Sequence, residues 1–349
     1  MKHLFLSLPL GLLLMAFCLN SHANNISVSN VYTTGQNTTD GYIMVQFDIN
    51  WENSWRIDNL HGDGITNWDA AWVFIKYRLA GGDWQHAKLN NSGNTKGNGI
   101  GALIQVGLVD ETAAFDNSTN PAVGAFIYRS AIGVGNFALA GTRLRWNYRA
   151  NGLADDAVVD IKVFAVEMVY VPQGSFYVGS GGTETSAFYT YPNTTSPYLI
   201  SSENAINVGT TNGYLYYASS TYGGDQSGPI PAAFPKGYAG FYCMKYEIVQ
   251  QQYVDFLNTL TQTQANARKF TASDYRYGIT GNNVGSYATT NPYVACNYLN
   301  WDDGTAYSDW SGLRPMSELE FEKLAAGRPH LSLTSMLGEQ LILPQLNIP

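Results

Sequence analysis

Charge is what this sequence has least of: only 13% of its 349 residues are Asp, Glu, Lys or Arg, about half the share usual in soluble domains. The balance is acidic, 27 Asp and Glu against 19 Lys and Arg for a net charge of −8. No block of Lys or Arg is present to track a phosphate backbone, which argues against a nucleic-acid partner. Histidine and cysteine are equally sparse, at 5 and 3 residues. Beyond the first two dozen positions only His61, His86 and His330 remain, too little for a multi-histidine metal site and poor material for a hydrolase triad. Cys243 and Cys296 are the other two cysteines, far apart and in neither a CxxC nor a zinc spacing. They read first as small buried residues, next as a mutual disulfide and last as a reactive thiol. After the amino terminus no stretch reaches the ~20 apolar residues of a membrane span.

Apolar residues are plentiful, 45% of the chain, with 13% aromatic, so the chain is not disordered, and its length suits two domains with real cores. Lys2 and His3 precede an apolar run from Leu4 to Leu19 and the small-residue site Ser21-His22-Ala23, the pattern of a secretory signal peptide spanning 1–23. Phe17 in front of Cys18 speaks against a lipoprotein site. The expectation is an exported protein, periplasmic, cell-surface or secreted, in a compartment that tolerates disulfides.

From 24 to 166 the apolar pattern has period two, as in Val45-Gln46-Phe47-Asp48-Ile49-Asn50-Trp51, and similar runs are broken by Gly/Asn clusters of turn chemistry. This predicts an antiparallel β-sandwich domain. Six of the eight tryptophans lie in this segment, among them Trp51, Trp55, Trp68 and Trp72. Core packing on alternating strands is favoured for them over sugar-stacking platforms. Asp48, Glu52 and Asp69 are the carboxylates of the same phrases, but glycosidase chemistry is defined by a separation that sequence does not fix, and no catalytic role is assigned to them.

At Glu167 the pattern changes. The phrase from Glu167 through Pro172 and Gly174 to Gly179-Ser180 is followed by Gly240 to Tyr253 with Tyr246 and Glu247, then Phe256 and Leu257. A third block runs from Trp301 through Asp303 and Tyr307 to Trp310, and a fourth from Leu313 to Lys323 with Ser317, Glu318 and Glu320. Four blocks in this order resemble the formylglycine-generating enzyme (sulfatase-modifying factor) family over 167–327. The departures are Val249 where the family carries a capping threonine, Pro315 one place early, and Phe321 where the family has tryptophan. The resemblance implies a mixed α/β fold of the C-type-lectin-like kind. It also implies an activity drawn from cysteine-to-formylglycine oxidation, sulfoxide synthesis or noncatalytic binding.

The same blocks have a physical reading. Ser317 followed by Glu320 is a capping box that starts a helix, whereas Val249 accepts no hydrogen bond and costs the helix after it about 1 kcal/mol. Tyr253, Phe256, Leu257 and Leu260 recur at helical spacing, as do Trp301, Ala306, Tyr307 and Trp310. Pro172, Gly174, Gly179, Tyr246, Tyr253, Trp301, Tyr307 and Trp310 are accordingly expected to be structural. Glu247, Asp303, Glu318, Glu320 and Glu322 read better as capping and helix-end carboxylates than as acids or bases.

In catalytic relatives a copper-binding cysteine pair and calcium ligands lie downstream of the fourth block. Cys243 and Cys296 match neither catalytic position, so the resemblance assigns no catalytic, cofactor or metal residue here. From Pro329 to Pro349 the sequence leaves the family pattern. Permitted codons for Arg328 to Ile342, read two nucleotides further on, give Ala-Thr-Pro-Val-Ala-Asn-Glu-Tyr-Ala-Trp-Gly, the continuation the family leads one to expect. The expectation is therefore a lost nucleotide near the Arg328 codon, an aberrant tail over 328–349 and an incomplete second domain. Two functions follow as expectations: a formylglycine-generating-enzyme-like exported protein without catalytic competence, or a noncatalytic surface module for glycan or protein. A Ser/Thr/Gly/Tyr-rich stretch between Gly179 and Gly240 reads as an insertion of long, surface-forming loops.

Overall fold

Alternation of apolar and polar side chains sets the strands, and the strands dominate. The computed structural model describes residues 25–58, 66–217, 224–271 and 275–326. The expected signal peptide, His61, His330 and the tail from Arg328 lie outside the described residues. In chain order the elements are β1 (Ser27–Asn37), β2 (Tyr42–Ile57), β3 (Asn67–Leu79), β4 (Gln85–His86), β5 (Asn98–Gly99), β6 (Ala102–Leu108), β7 (Ala122–Arg129), β8 (Gly133–Trp146) and β9 (Val159–Val171). Short strands follow: β10 (Phe176–Val178), β11 (Phe188–Thr190), β12 (Tyr198–Ile200), β13 (Ile206–Asn207), β14 (Leu215–Tyr217), β15 (Pro229–Ile230) and β16 (Phe241–Met244). Helices α1 (Gln250–Leu257) and α2 (Gln262–Arg268), strands β17 (Ile279–Thr280) and β18 (Ala288–Thr289), and helices α3 (Trp301–Ser311) and α4 (Glu318–Ala326) complete the order. The fold is α+β and rich in antiparallel strands.

One ten-stranded sheet, with main path β16-β9-β3-β2-β8-β5, carries β1 on β2, β4 and β7 on β3, and β6 on β7. Its centre is β3, which is buried on both faces from Asp69 to Tyr77. Ala71, Val73, Ile75 and Tyr77 turn one way and meet Val45, Phe47, Ile49 and Trp51 of β2 in a first core. The intervening Ala70, Trp72 and Phe74 turn the other way into a second core with Tyr253, Phe256 and Leu257 of α1 and Tyr307 and Trp310 of α3. A near-continuous apolar strand of this kind is what two covered faces require. Strand β9 repeats the division: Val163 and Ala165 border the first core, Val166 and Met168 belong to the second.

The boundary expected between residues 166 and 167 therefore falls inside β9, which pairs with β3 continuously from Val159 to Val169. Beyond it, Phe241 to Met244 of β16 pair with Val171 to Met168 and extend the same sheet. Trp72 ties the two parts together. Its Nε1 donates to the Ser311 carbonyl at the end of α3 at 2.7 Å, and its ring lies so close to β6 and β7 that a Cβ on Gly107 or Gly124 would stand 2.6 or 2.5 Å from it.

Local signals explain the helices. At α3, Asn300 Oδ1 accepts the Asp303 amide at 2.9 Å while Asp303 Oδ2 accepts the Asn300 amide at 3.0 Å. Gly312 closes that helix in the left-handed conformation at φ 72°, as an αL C-cap requires. At α4, Ser317 Oγ accepts the Glu320 amide and Glu320 Oε2 accepts the Ser317 amide. Val249 starts α1 with no side-chain acceptor. The orphan amides are met instead by the neighbouring loop, Gln250 N donating to Val294 O at 2.9 Å and Gln251 N to Pro292 O at 3.1 Å. Trp301 departs from the expected buried stripe: as the first residue of α3 it is 73% exposed, while Tyr307 and Trp310, a turn or more further on, are buried.

Gly124→Ala drives a Cβ into the Trp72 ring and the Val73 carbonyl, and is expected to cost about 1–3 kcal/mol. Gly304→Ala in α3, where nothing lies within 4 Å, is expected to gain up to about 1 kcal/mol. Urea denaturation of the two variants, read by tryptophan fluorescence, checks both signs.

Candidate functional site

The residues of the four sequence blocks are held as scaffold. Lys323 Nζ donates to the Pro172 and Gly237 carbonyls at 2.7 and 2.6 Å, so α4 clamps the turn after β9. Gly174 N donates to Tyr238 O at 2.9 Å. Gly179 N donates to Glu322 Oε2 at 3.1 Å, and a Cβ there would run into the Phe188 carbonyl oxygen. Tyr253 hydroxyl donates to Arg268 O at 2.7 Å and Trp310 Nε1 to Thr259 Oγ1 at 2.8 Å. Asp303 also meets Arg268 at 3.3 Å. Glu320, 2% exposed, is gripped by both terminal nitrogens of Arg314. Burial works to raise its carboxyl, and Arg314 with the Ser317 amide outweighs that and leaves it lowered. Glu247 and Glu318 face solvent.

The tryptophans Trp51, Trp72 and Trp146 are core residues at 1–2% exposure. The three carboxylates of the first segment are engaged separately. Asp48 accepts from Asn30 Nδ2 and the Gly141 amide, Glu52 is exposed, and Asp69 is wholly buried. Cys243 on β16 and Cys296 before α3 are free and half-buried. Burial raises both thiols, Cys296 to about 12, so both are protonated at neutral pH.

Three places concentrate chemistry. The first is a buried polar network around Lys245, the residue after β16. Its Nζ donates to Asp69 Oδ2 at 3.0 Å, to Glu167 Oε2 at 3.1 Å and to the Asn53 carbonyl at 3.3 Å. Asp69 also accepts Trp51 Nε1, Ser54 Oγ and the Trp55 amide at 2.8–3.0 Å. Burial alone would lower the Lys245 ammonium, and the charges of Asp69 and Glu167 reverse this and raise it. Burial raises the Glu167 carboxyl against the pull of Lys245. The network joins β2, β3, β9 and β16 at one end of the first core. Lys245 lies inside the second block, yet nothing in the sequence marks it as the partner of Asp69, because the two are 176 positions apart and meet only through the pairing of β16, β9 and β3.

The second place is the stretch between Gly179 and Gly240. Its described residues form the two-stranded pairs β11–β14 and β13–β15, beside β10–β12. Phe188 meets Tyr217 at 4.8 Å, Tyr189 meets Tyr216 at 5.5 Å and Tyr191 meets Tyr216 at 5.9 Å between ring centroids. Tyr191, Tyr214, Tyr216 and Tyr217 remain half-exposed.

The third is a cavity of about 180 Å³ where α1 and α3 lean on β9 and the start of β1. Phe74, Phe164, Tyr293 and Trp310 wall it, and Asp255, Gln252 and Tyr307 line it. Asp255 accepts Gln251 Nε2 at 3.0 Å, and burial lifts its carboxyl to about 6. Sequence reasoning passed Asp255 over, although its position between Val254 and Phe256 on an apolar helix face was the available signal.

No protein-family model, curated protein or solved structure matches this chain.

Lys245→Met removes the only charge partner that the hydrogen-bond geometry gives Glu167, and is expected to destabilise the protein by about 3–5 kcal/mol at neutral pH. Glu167 then keeps a folded-state pKa above its unfolded one, so the variant regains stability as the pH falls toward about 5. Urea titrations at the two pH values test this, and an equal loss at both contradicts it.

Proposed function

We propose that this is an exported protein with a β-sandwich unit over 24–166 joined to a formylglycine-generating-enzyme-like, C-type-lectin-like unit over 167–327. In this reading the second unit recognises glycan and does not oxidise cysteine. The observation that carries it is the cluster of half-exposed tyrosines formed by Tyr191 just after β11, Tyr214 just before β14, and Tyr216 and Tyr217 on β14, packed on the buried Tyr189 of β11. A tyrosine ring offers a flat apolar face to the C–H face of a sugar and a hydroxyl to its rim, and its two side-chain torsions make it cheap to order. Short strand pairs packed on a small apolar cluster that includes Leu215 and Leu319 hold such rings in place before a ligand arrives, which spares binding energy otherwise lost to ordering.

Support against an oxidase role comes from the residues themselves. Cys243 and Cys296 match neither catalytic position of the resembled family. Among the remaining block residues, Asp303, Ser317, Glu320 and Lys323 are engaged in caps and clamps, and Tyr253, Tyr307 and Trp310 in the core. Copper and calcium, which the resemblance associates with a downstream region, therefore enter no step assigned to these residues.

Affinity electrophoresis through gels containing soluble polysaccharides tests the reading. The protein is expected to be retarded by at least one of them, Tyr191→Ala and Tyr216→Ala to run freely, and Cys296→Ala to run as the parent. Retardation unchanged by both tyrosine variants, or oxygen-dependent conversion of a cysteine peptide to formylglycine in the presence of copper, contradicts it.

A further inference from the structure

The cavity between α1, α3 and β9 holds more unmatched polarity than a packed core tolerates. Tyr307 is 1% exposed, yet its hydroxyl has no hydrogen-bond partner in the protein. Gln252 is in the same condition on one side: its Oε1 accepts the Val249 amide at 3.1 Å, and its buried Nε2 has no partner. A buried donor left unmet is destabilising. Both residues line the same cavity as Asp255, whose carboxylate accepts Gln251 Nε2. Two unmatched groups and a carboxylate converging on one aromatic-walled space describe a site, not a packing defect.

We propose that this cavity binds a small organic ammonium compound carrying an oxygen acceptor, of the amino-alcohol class. The carboxylate of Asp255 supplies the countercharge. The groups that face it are Gln251 on its own helix, Tyr307 from α3 and, by its field, Lys162 from β9. Lys162 is drawn toward the Trp84 ring, 5.2 Å from its centroid, which leaves the carboxylate without a close cationic partner. The rings of Phe74, Tyr293 and Trp310 border the space, and aromatic quadrupoles attract an alkylammonium that hydrogen bonds poorly. Tyr307 hydroxyl and Gln252 Nε2 donate to the oxygen of the ligand.

Size narrows the class. At about 180 Å³ the cavity is smaller than the roughly 300–1,000 Å³ of pockets for drug-sized ligands, so an oligosaccharide is excluded from it. The site is thus separate from the tyrosines of β14 and the turn after β11 and stands or falls independently of glycan binding there.

Isothermal titration with choline, beside its neutral carbon isostere in which carbon replaces the quaternary nitrogen, tests the proposal on the full chain. Choline is expected to bind and the isostere to bind about tenfold more weakly or not at all, as loss of a buried charge contact dictates. Asp255→Asn is expected to abolish the preference for charge. Tyr307→Phe is expected to weaken choline about fivefold while leaving the melting temperature equal or higher, because it removes an unmet hydroxyl. No choline binding at about 10 mM, equal binding of the isostere, or unchanged binding by both variants overturns the proposal; 10 mM lies well above the Kd of even a weak specific site.

Discussion

Burial of β3 on both faces is the constraint from which the rest of the structure follows. A strand with one wet face could have ended the molecule as a simple pair of β layers. Here Ala70, Trp72 and Phe74 present an apolar face on the far side, and that face must be covered. Helices α1 and α3 cover it, at a cost in sequence that is visible in their tyrosines, phenylalanine and tryptophan. Full burial of each such side chain contributes about 1.5–3 kcal/mol, so the helical layer and the β layers stabilise one another through the same strand. Trp72 makes the dependence specific, since its ring rests on Gly107 and Gly124 and its indole nitrogen reaches the end of α3.

Polar groups in this molecule divide according to whether the sheet can satisfy them. Around Lys245 the first core closes with charges and donors drawn from four strands, only Glu167 Oε1 of that group being left without a partner, and the network crosslinks segments far apart in sequence. At the second core the matching stops at Tyr307, Gln252 and Asp255, and an open space remains beside them. The tyrosine-bearing strand pair β11–β14 lies outside both cores, resting on the third small cluster of Phe176, Val178, Ile200, Ile206, Leu215 and Leu319.

Much of this was legible in the sequence where the code is local. The period-two run from Val45 to Trp51 buries alternate residues as expected, and Ser317 with Glu320 forms its capping box. The uncapped Val249 was legible as a defect, but its remedy was not, because the carbonyls of Pro292 and Val294 approach from a loop some forty residues away. Trp301 carries the spacing of a buried stripe and lies outside it, exposed as the first residue of α3 while Tyr307 and Trp310 are buried. The division at residue 166 was drawn from a change of text, whereas β9 runs through it because hydrogen bonding to β3 continues on either side. Asp255 could not be singled out before α1 and α3 were placed against β9, for its environment is made by residues from every one of those elements.

The central claim is that the β layers and the helical layer share β3 and β9 and unfold together. Native-state hydrogen exchange of the full chain, read by mass spectrometry on peptides from β2 and from α1, tests it most directly, because cooperative units exchange with a common opening free energy. The account predicts that amides of Val45 to Trp51 and of Tyr253 to Leu257 exchange with the same opening free energy and the same denaturant dependence. Exchange of the α1 amides at a markedly lower free energy, with β2 still protected, would contradict it.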